Sequence, residues 1–342
     1  PRSRRQLRLP PPAIDLGAVL RAARTGRLGL CTGRDDSGAI DGAPDTSLDD
    51  EVAVRFDGSV AAWVARIERL TVGRDQDEPV GLEATLRPYQ RRGLAWMADL
   101  AELGLGGCLA DDMGLGKTVQ VLALHCHRGR RTLVVCPTSL LANWERETKR
   151  FLPGTKVRRY HGPGRSLADL ADHEIVVTTY GVVRSDPEAL ARIGWDLMIA
   201  DEAQHAKNPR SRTARALRMV PAAVRMALTG TPVENRLSEL WSIMDWAVPG
   251  ILGGHEEFRR TLAVPIERDD DARAASLLTE VVRPFLLRRV KTDPEIAPDL
   301  PPKTELDVVV PLTAEQVSLY HATVSEILAL VRGLDGAERH GL

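Results

Sequence analysis

The residues from Asp111 to Thr118 have the types and spacing of a phosphate-binding loop. They follow the short apolar run 108–110 and precede a predicted helix over 117–128. Glycines let backbone N–H groups turn toward phosphate oxygens, and a helix N-terminus adds its positive dipole. In such a loop Lys117 reaches the β- and γ-phosphates, and the Thr118 hydroxyl is a ligand for Mg²⁺. The general pattern has glycine six residues before the lysine, where this sequence has Asp111.

Two acidic residues, Asp201 and Glu202, directly follow the apolar run 196–200. A carboxylate at the tip of a strand beside a phosphate loop supplies a second contact to Mg²⁺. A neighbouring carboxylate can position and deprotonate the attacking water. We therefore predict Lys117, Asp201 and Glu202 as catalytic residues, and Thr118 and Asp201 as metal ligands.

The elements that would position these residues alternate along the chain from residue 82. Short apolar runs end in polar loops, and predicted helices, including 117–128 and 139–151, lie between them. Continuous Val, Ile and Leu strands separated by helices indicate a parallel sheet covered on both faces. Ligands of such sheets bind beyond the carboxyl ends of the strands. We therefore predict an α/β fold with its functional residues in those loops. The apolar runs are 108–110, 132–136, 175–179, 196–200 and 226–229.

Composition excludes several classes of protein. The 342 residues carry 46 Lys and Arg against 47 Asp and Glu, so nucleic-acid binding would depend on local patches. No apolar run is long enough for a membrane span, and nothing resembles a secretory signal. The cysteines, four in all, lack zinc-finger spacing. We expect no membrane and no zinc, and a cytoplasmic protein of bacterial type that could associate with the nucleoid.

The chain from about residue 86 to residue 305 resembles the first motor lobe of the Swi/Snf family of helicase-like ATPases, in helicase superfamily two. Several sequence motifs of the family occur here in the family's order. The family has an acidic residue before Met-Gly-Leu-Gly-Lys-Thr, which explains why this sequence has Asp111 in place of glycine. The motifs are LRPYQ at 86–90, DDMGLGKT at 111–118, VCPTSL at 135–140, NW at 143–144, TTY at 178–180, DEAQHAKN at 201–208, LTGTPVEN at 228–235, LRR at 287–289 and LPPK at 300–303.

The resemblance implies a RecA-like P-loop NTPase lobe that binds ATP and Mg²⁺. Gln90 falls in the adenine-recognising motif, and its amide can both donate to and accept from the adenine edge. The hydroxyls of Thr229 and Thr231 would sense the γ-phosphate, and Gln204, more than His205, would link the two motifs. The predicted nucleotide-binding residues are Arg87, Gln90, Asp112, Met113, Gly114, Leu115, Gly116, Lys117 and Thr118.

Double-stranded DNA is the expected partner. Pro137, Thr138 and Ser139 stand where a strand ends and a helix begins, so they could bind backbone phosphates, as could Thr178. Only 4% of the residues are aromatic, which favours backbone binding over base recognition. Basic groups near residues 128–131 and 158–159 either line the DNA path or form a solvated face, and we favour the solvated face.

We divide the chain into three parts. Residues 1–80 are an N-terminal extension or the end of an upstream domain, 81–305 the ATP-binding lobe, and 306–342 a brace toward a second RecA-like lobe missing from this sequence. Arginine fingers belong to that second lobe, and their loss costs on the order of 10³–10⁵ in turnover. We expect a fragment that binds nucleotide and hydrolyses it poorly. Two alternatives stay open: an RNA-directed or strand-separating helicase, and a nucleotide-gated binding module.

Overall fold

The structure, a computed structural model, describes residues 75–233, 236–293, 296 and 310–333. The chain divides into two compact units between Pro298 and Asp299, a few residues before the predicted boundary at 305. The extension predicted for residues 1–80 lies almost entirely outside the described residues.

The first unit is built on a seven-stranded sheet in which every described pair of neighbouring strands is parallel. The spatial order is β3-β4-β2-β5-β6-β1-β7. This architecture confirms the predicted RecA-like α/β fold. The strands are β1 (Gly107–Leu109), β2 (Thr132–Cys136), β3 (Val157–Tyr160), β4 (Ile175–Thr179), β5 (Trp195–Asp201), β6 (Ala222–Leu228) and β7 (Leu286–Leu287).

The central strands are buried on both faces, which is why they read as continuous apolar runs rather than alternating ones. Every residue of β2 and β4 is buried, and β5 is buried at all but one position. The strand register places Ala200 beside Val135 and Asp201 beside Leu228. The loops that follow β2, β5 and β6 therefore leave the sheet at the same edge.

The helices connect the strands and cover the sheet. The prediction for 117–128 is confirmed, whereas the predicted helix 139–151 is a 3₁₀ turn, Thr138–Leu140, followed by an α-helix. The helices of the first unit are α1 (Pro88–Glu102), α2 (Lys117–Arg128), α3 (Leu141–Phe151), α4 (Tyr180–Ser185), α5 (Pro187–Ala191), α6 (Arg212–Met219), α7 (Leu237–Ala247), α8 (His255–Phe258), α9 (Val264–Asp269) and α10 (Ala272–Val282).

The second unit contributes one described helix, α11 (Ala314–Gly333), which lies within the segment 306–342 predicted as a brace. Among the described helices of both units, none is long and apolar enough to cross a bilayer. The two-residue strand β7 was not predicted, because two leucines carry no periodicity that would distinguish a strand.

Candidate nucleotide site

The phosphate loop leaves β1 and enters α2 through two glycines in the left-handed region. The φ angle is 85° at Gly114 and 76° at Gly116, a conformation that glycine adopts without steric cost. Helix α2 begins at Lys117 without a side-chain cap, so the N–H groups of its first turn have no intrahelical partner. These groups and the helix dipole are the donors that a phosphate chain requires.

The Lys117 ammonium is folded back onto its own loop. Its Nζ donates to Asp111 O at 2.6 Å and to Asp112 O at 3.4 Å. Thr118 is half-buried beside it, at the second position of the helix. A cation, uncapped N–H groups and a hydroxyl thus stand together, and this set of donors fits a triphosphate with Mg²⁺.

Not every side chain of the loop faces a ligand. Met113 is 77% exposed, and Leu115 is buried in a small apolar cluster with Tyr89 and Ile296. The backbone of both residues forms the loop, whose glycines leave the chain free to approach phosphate. For Met113 and Leu115, the predicted nucleotide contact therefore concerns main-chain atoms.

Asp111, the departure from the general loop pattern, is completely buried, and its carboxylate is bonded to other residues than Lys117. Its carboxylate accepts from Arg289 Nε at 2.8 Å and from a second guanidinium nitrogen, and from Gln120 Nε2 at 3.3 Å. Arg289 also donates to Tyr89 O and lies over the Tyr89 ring, 5.1 Å from its centroid. The sequence did not predict this network, although Asp111 and Arg289 both lie in motifs of the family, DDMGLGKT and LRR.

The chain after β7 is hydrogen-bonded to the loop along its length. Ala110 N donates to Leu287 O at 2.7 Å, and Asp112 N donates to Arg289 O at 3.0 Å. The Asp112 carboxylate in turn accepts from Lys291 N at 3.0 Å. The Asp112 carboxylate thus holds this later segment in the structure, and the predicted nucleotide contact of Asp112 stays a prediction.

Gln90 connects the first turn of α1 to the phosphate loop. Its Oε1 accepts from Arg87 N at 2.9 Å, and its Nε2 donates to Leu115 O at 3.2 Å. A Cβ at Gly116 would lie 2.5 Å from that same Nε2, so the contact requires glycine there. Gln90 therefore supports the loop in this structure, and its adenine contact, like that of the exposed Arg87, stays a prediction.

The two acidic residues stand at the carboxyl end of β5. The Asp201 carboxylate accepts from Trp144 Nε1 at 2.8 Å through Oδ2 and from Glu202 N at 3.0 Å through Oδ1. Burial raises the pKa of Asp201, and the hydrogen bond from Trp144 opposes that rise, as does the more weakly acting charge of Lys117. Glu202 has a φ of 51°, in the left-handed region, which is uncommon for a residue with a Cβ.

A chain of hydrogen bonds joins Glu202 to the loop after β6. Gln204 Nε2 donates to Glu202 Oε2 at 2.8 Å, and Thr229 Oγ1 donates to Gln204 Oε1 at 3.0 Å. Thr231 N then donates to Thr229 Oγ1 at 3.1 Å. All three residues predicted to couple the motifs therefore meet. His205 is outside this chain, and its ring stacks on Tyr180 at 5.3 Å.

The residues predicted to contact DNA divide into two groups. Thr138 and Ser139 are exposed in the 3₁₀ turn after β2, next to the half-buried Pro137. Thr178, by contrast, has no solvent exposure, and its hydroxyl donates to Tyr160 O at 2.8 Å. A direct contact from Thr178 is therefore wrong, because its hydroxyl is inside the sheet and already satisfied.

The basic clusters are paired with acids. Arg128 forms a two-nitrogen contact with Asp196 at 2.5 and 2.7 Å, and Arg158 Nε lies 2.6 Å from Glu174. Asp196 and Glu174 stand at the amino ends of β5 and β4, opposite the loops of the site. This pairing agrees with the solvated face rather than a DNA path.

A parallel sheet with a phosphate loop after β1 and an acidic pair after β5 defines a RecA-like P-loop lobe. The model of the SNF2-related domain matches residues 89–340, and the chain belongs to that family.

Relatives and solved structures agree with this assignment. YwqA of Bacillus subtilis, named for an ATP-dependent helicase/translocase, is 41% identical over 81% of this chain and 32% of its own length. The chromatin-remodeling ATPase INO80 of Drosophila melanogaster is 35% identical over 74% of this chain and 17% of its own. A solved Sulfolobus solfataricus SWI2/SNF2 ATPase core in complex with dsDNA is 40% identical, with a TM-score of 0.63 over 78% of this chain and 57% of that one. The chain thus spans about a third or less of these two curated relatives.

Proposed function

We propose that the chain is the first motor lobe of an ATP-dependent translocase on duplex DNA. The observation that carries this proposal is the hydrogen-bond chain from Glu202 through Gln204 to Thr229, beside a phosphate loop with Lys117. A solvated acidic pair would not need an ordered link to the neighbouring strand. A motor needs such a link, because hydrolysis at Glu202, after β5, has to change the position of residues after β6, such as Thr229.

In this proposal each residue has a defined role. Lys117 binds the β- and γ-phosphates together with the N–H groups at the start of α2. Thr118 and Asp201 hold Mg²⁺, which neutralises negative charge on the phosphates when bound. Glu202 accepts the proton of the attacking water, and Gln204 keeps that carboxylate aimed.

Hydrolysis by this chain alone is expected to be slow. The family resemblance assigns the arginine fingers to a second RecA-like lobe, and their absence removes on the order of 10³–10⁵ in turnover. We therefore expect ATP binding with weak hydrolysis.

Duplex DNA is proposed as the track. The support is the similarity to the Sulfolobus core bound to dsDNA, together with the exposed Thr138 and Ser139 at the start of a helical segment. Uncapped N–H groups and short hydroxyls bind backbone phosphates without reading sequence.

Nucleotide binding is tested by calorimetry with Mg·ADP. We expect Lys117→Ala to abolish binding and Lys149→Ala, which removes an exposed lysine in the last turn of α3, to leave it unchanged. Glu202→Gln should retain binding and lose the remaining hydrolysis. Equal binding by wild type and Lys117→Ala would refute the proposed nucleotide site.

The polynucleotide is tested by anisotropy with labelled duplex DNA, single-stranded DNA and RNA of equal length. Duplex preference, weakened by Ser139→Asp but not by Thr279→Asp on α10, is the expected result, because a negative charge at the track repels phosphates. Preference for RNA or single strands would favour the RNA-directed or strand-separating helicase. Unchanged hydrolysis in Glu202→Gln would refute the assignment of Glu202 as the catalytic base.

A further inference from the structure

The side chain of Trp144 contacts the carboxylate proposed to hold Mg²⁺. Trp144 is 1% exposed and is the largest of the fully buried side chains, yet its indole N–H donates to Asp201 Oδ2 at 2.8 Å. A tryptophan in a core normally needs only one acceptor for this N–H, and a backbone carbonyl is enough.

The other buried indoles with a described partner follow that ordinary pattern. Trp96 Nε1 donates to Pro284 O at 2.8 Å, and Trp195 Nε1 donates to Leu190 O at 2.8 Å. Trp195 begins β5, whereas Asp201 ends it. Strand β5 therefore begins with Trp195, whose indole bonds a backbone carbonyl, and ends with Asp201, whose carboxylate accepts from the indole of Trp144.

The two donors of Asp201 act on different oxygens. Oδ2 accepts from the indole, and Oδ1 accepts from Glu202 N at 3.0 Å. A carboxylate oxygen has two lone pairs, so each keeps one direction open for a further partner. Because one donor belongs to the backbone and the other to a packed ring, the plane of the carboxylate is fixed before a metal arrives.

The indole is itself held in place. Trp144 lies in the first turn of α3, which packs against α2, β3 and β4. The main-chain carbonyl of Trp144 accepts from Thr148 Oγ1 at 2.7 Å. The exposed turn Thr138–Leu140 leads directly into this helix.

We infer that Trp144 is a positioning residue, which aims the Asp201 carboxylate at Mg²⁺ through its indole N–H. This inference rests on the proposed function, because it requires Asp201 to hold the metal. Partners that orient a metal ligand typically contribute about 10–100-fold to metal affinity.

The test measures ADP binding to the whole chain by calorimetry, once with Mg²⁺ and once with EDTA. The ratio of the two affinities reports the metal alone. We expect Trp144→Phe to lower this ratio about tenfold while affinity in EDTA is unchanged. Trp195→Phe is the matched control, because it removes an equally short bond from another buried indole, at the start of the strand that Asp201 ends. This variant should leave the ratio unchanged.

A second variant covers the case in which Trp144→Phe does not fold. Benzothienylalanine at position 144 replaces the N–H by sulphur at nearly the same volume, and the same fall in the ratio is expected. An unchanged ratio in a folded variant, or an equal fall in Trp195→Phe, would overturn the inference. A wild type that binds ADP equally well with and without Mg²⁺ would instead refute the proposed metal site.

Discussion

Breaking the ion pair between Arg289 and Asp111 should cost more stability than breaking any exposed pair of the chain. Asp111 has no solvent exposure, and the Arg289 side chain is 9% exposed. Arg289→Ala would leave the carboxylate buried with only the Gln120 amide as a described partner. Removal of one member of a buried pair costs about 3–5 kcal/mol, because an uncompensated charge stays in the interior.

The chain offers a matched control for this change. Arg210 and Glu256 form a pair of the same kind at 3.1 Å, with side chains 82% and 67% exposed. Arg210→Ala should cost no more than about 1 kcal/mol, since solvent already screens the charges. The difference between the two variants isolates the effect of burial.

Urea unfolding followed by circular dichroism measures both free energies. The double variant Asp111→Asn with Arg289→Met removes both charges, so no charge stays buried without a partner. We expect it to be more stable than Arg289→Ala by about 2 kcal/mol or more. If Arg289→Ala loses no more stability than Arg210→Ala, the pair does not stabilise the phosphate loop as reasoned. Arg289→Lys should recover only part of the loss, because lysine cannot form the two-nitrogen contact.

Four further outcomes are expected. Gly93→Ala should destabilise the chain, because its Cβ would lie 2.1 Å from Gln120 Oε1. Gly181→Ala, whose nearest contact is at 3.7 Å, should instead gain up to about 1 kcal/mol; urea unfolding tests both. Burial lowers the pKa of His125 from 6.5 to about 4. Below pH 6.5 the unfolded chain therefore binds a proton that the folded chain does not, and stability should fall by about 2 kcal/mol by about pH 5, a slope that His125→Gln removes in pH-dependent unfolding. Gln204→Ala should reduce the effect of ATP on duplex-DNA affinity about 2- to 30-fold, measured by anisotropy, while an unchanged effect would contradict a coupling role.

Much of the sheet was predictable because its strands are buried on both faces. The runs 132–136 and 175–179 match β2 and β4 residue for residue, since every position there is apolar or packed. The loops at the carboxyl ends followed from the parallel arrangement alone. The phosphate loop and the acidic pair at that edge therefore followed from local pattern plus one rule of topology, whereas the roles of Gln204, Thr229 and Thr231 followed from the family resemblance.

The remaining features depend on contacts between residues far apart in sequence. The bond from Trp144 to Asp201 and the pair between Arg289 and Asp111 leave no periodic signal. Thr178 was misplaced for the opposite reason. Its type suits a phosphate contact, but β4 is buried at every position, and the hydroxyl of Thr178 is satisfied inside the sheet by Tyr160 O.

The bonds between the phosphate loop and the chain after β7 have a consequence for synthesis on the ribosome. Arg289 and Asp111 are 178 positions apart, and β7, which pairs with β1, is the last of the described strands along the sequence. When the residues of DDMGLGKT have left the ribosome, the residues that hydrogen-bond to this loop have not yet been made. The loop has all of these partners only after Lys291 has followed. Because such long-range closure is slow, nucleotide binding should appear late in folding, after the central strands have paired. The residues of DDMGLGKT are translated well before Arg289 and Lys291, so the geometry of this loop is completed only after those later residues have been made.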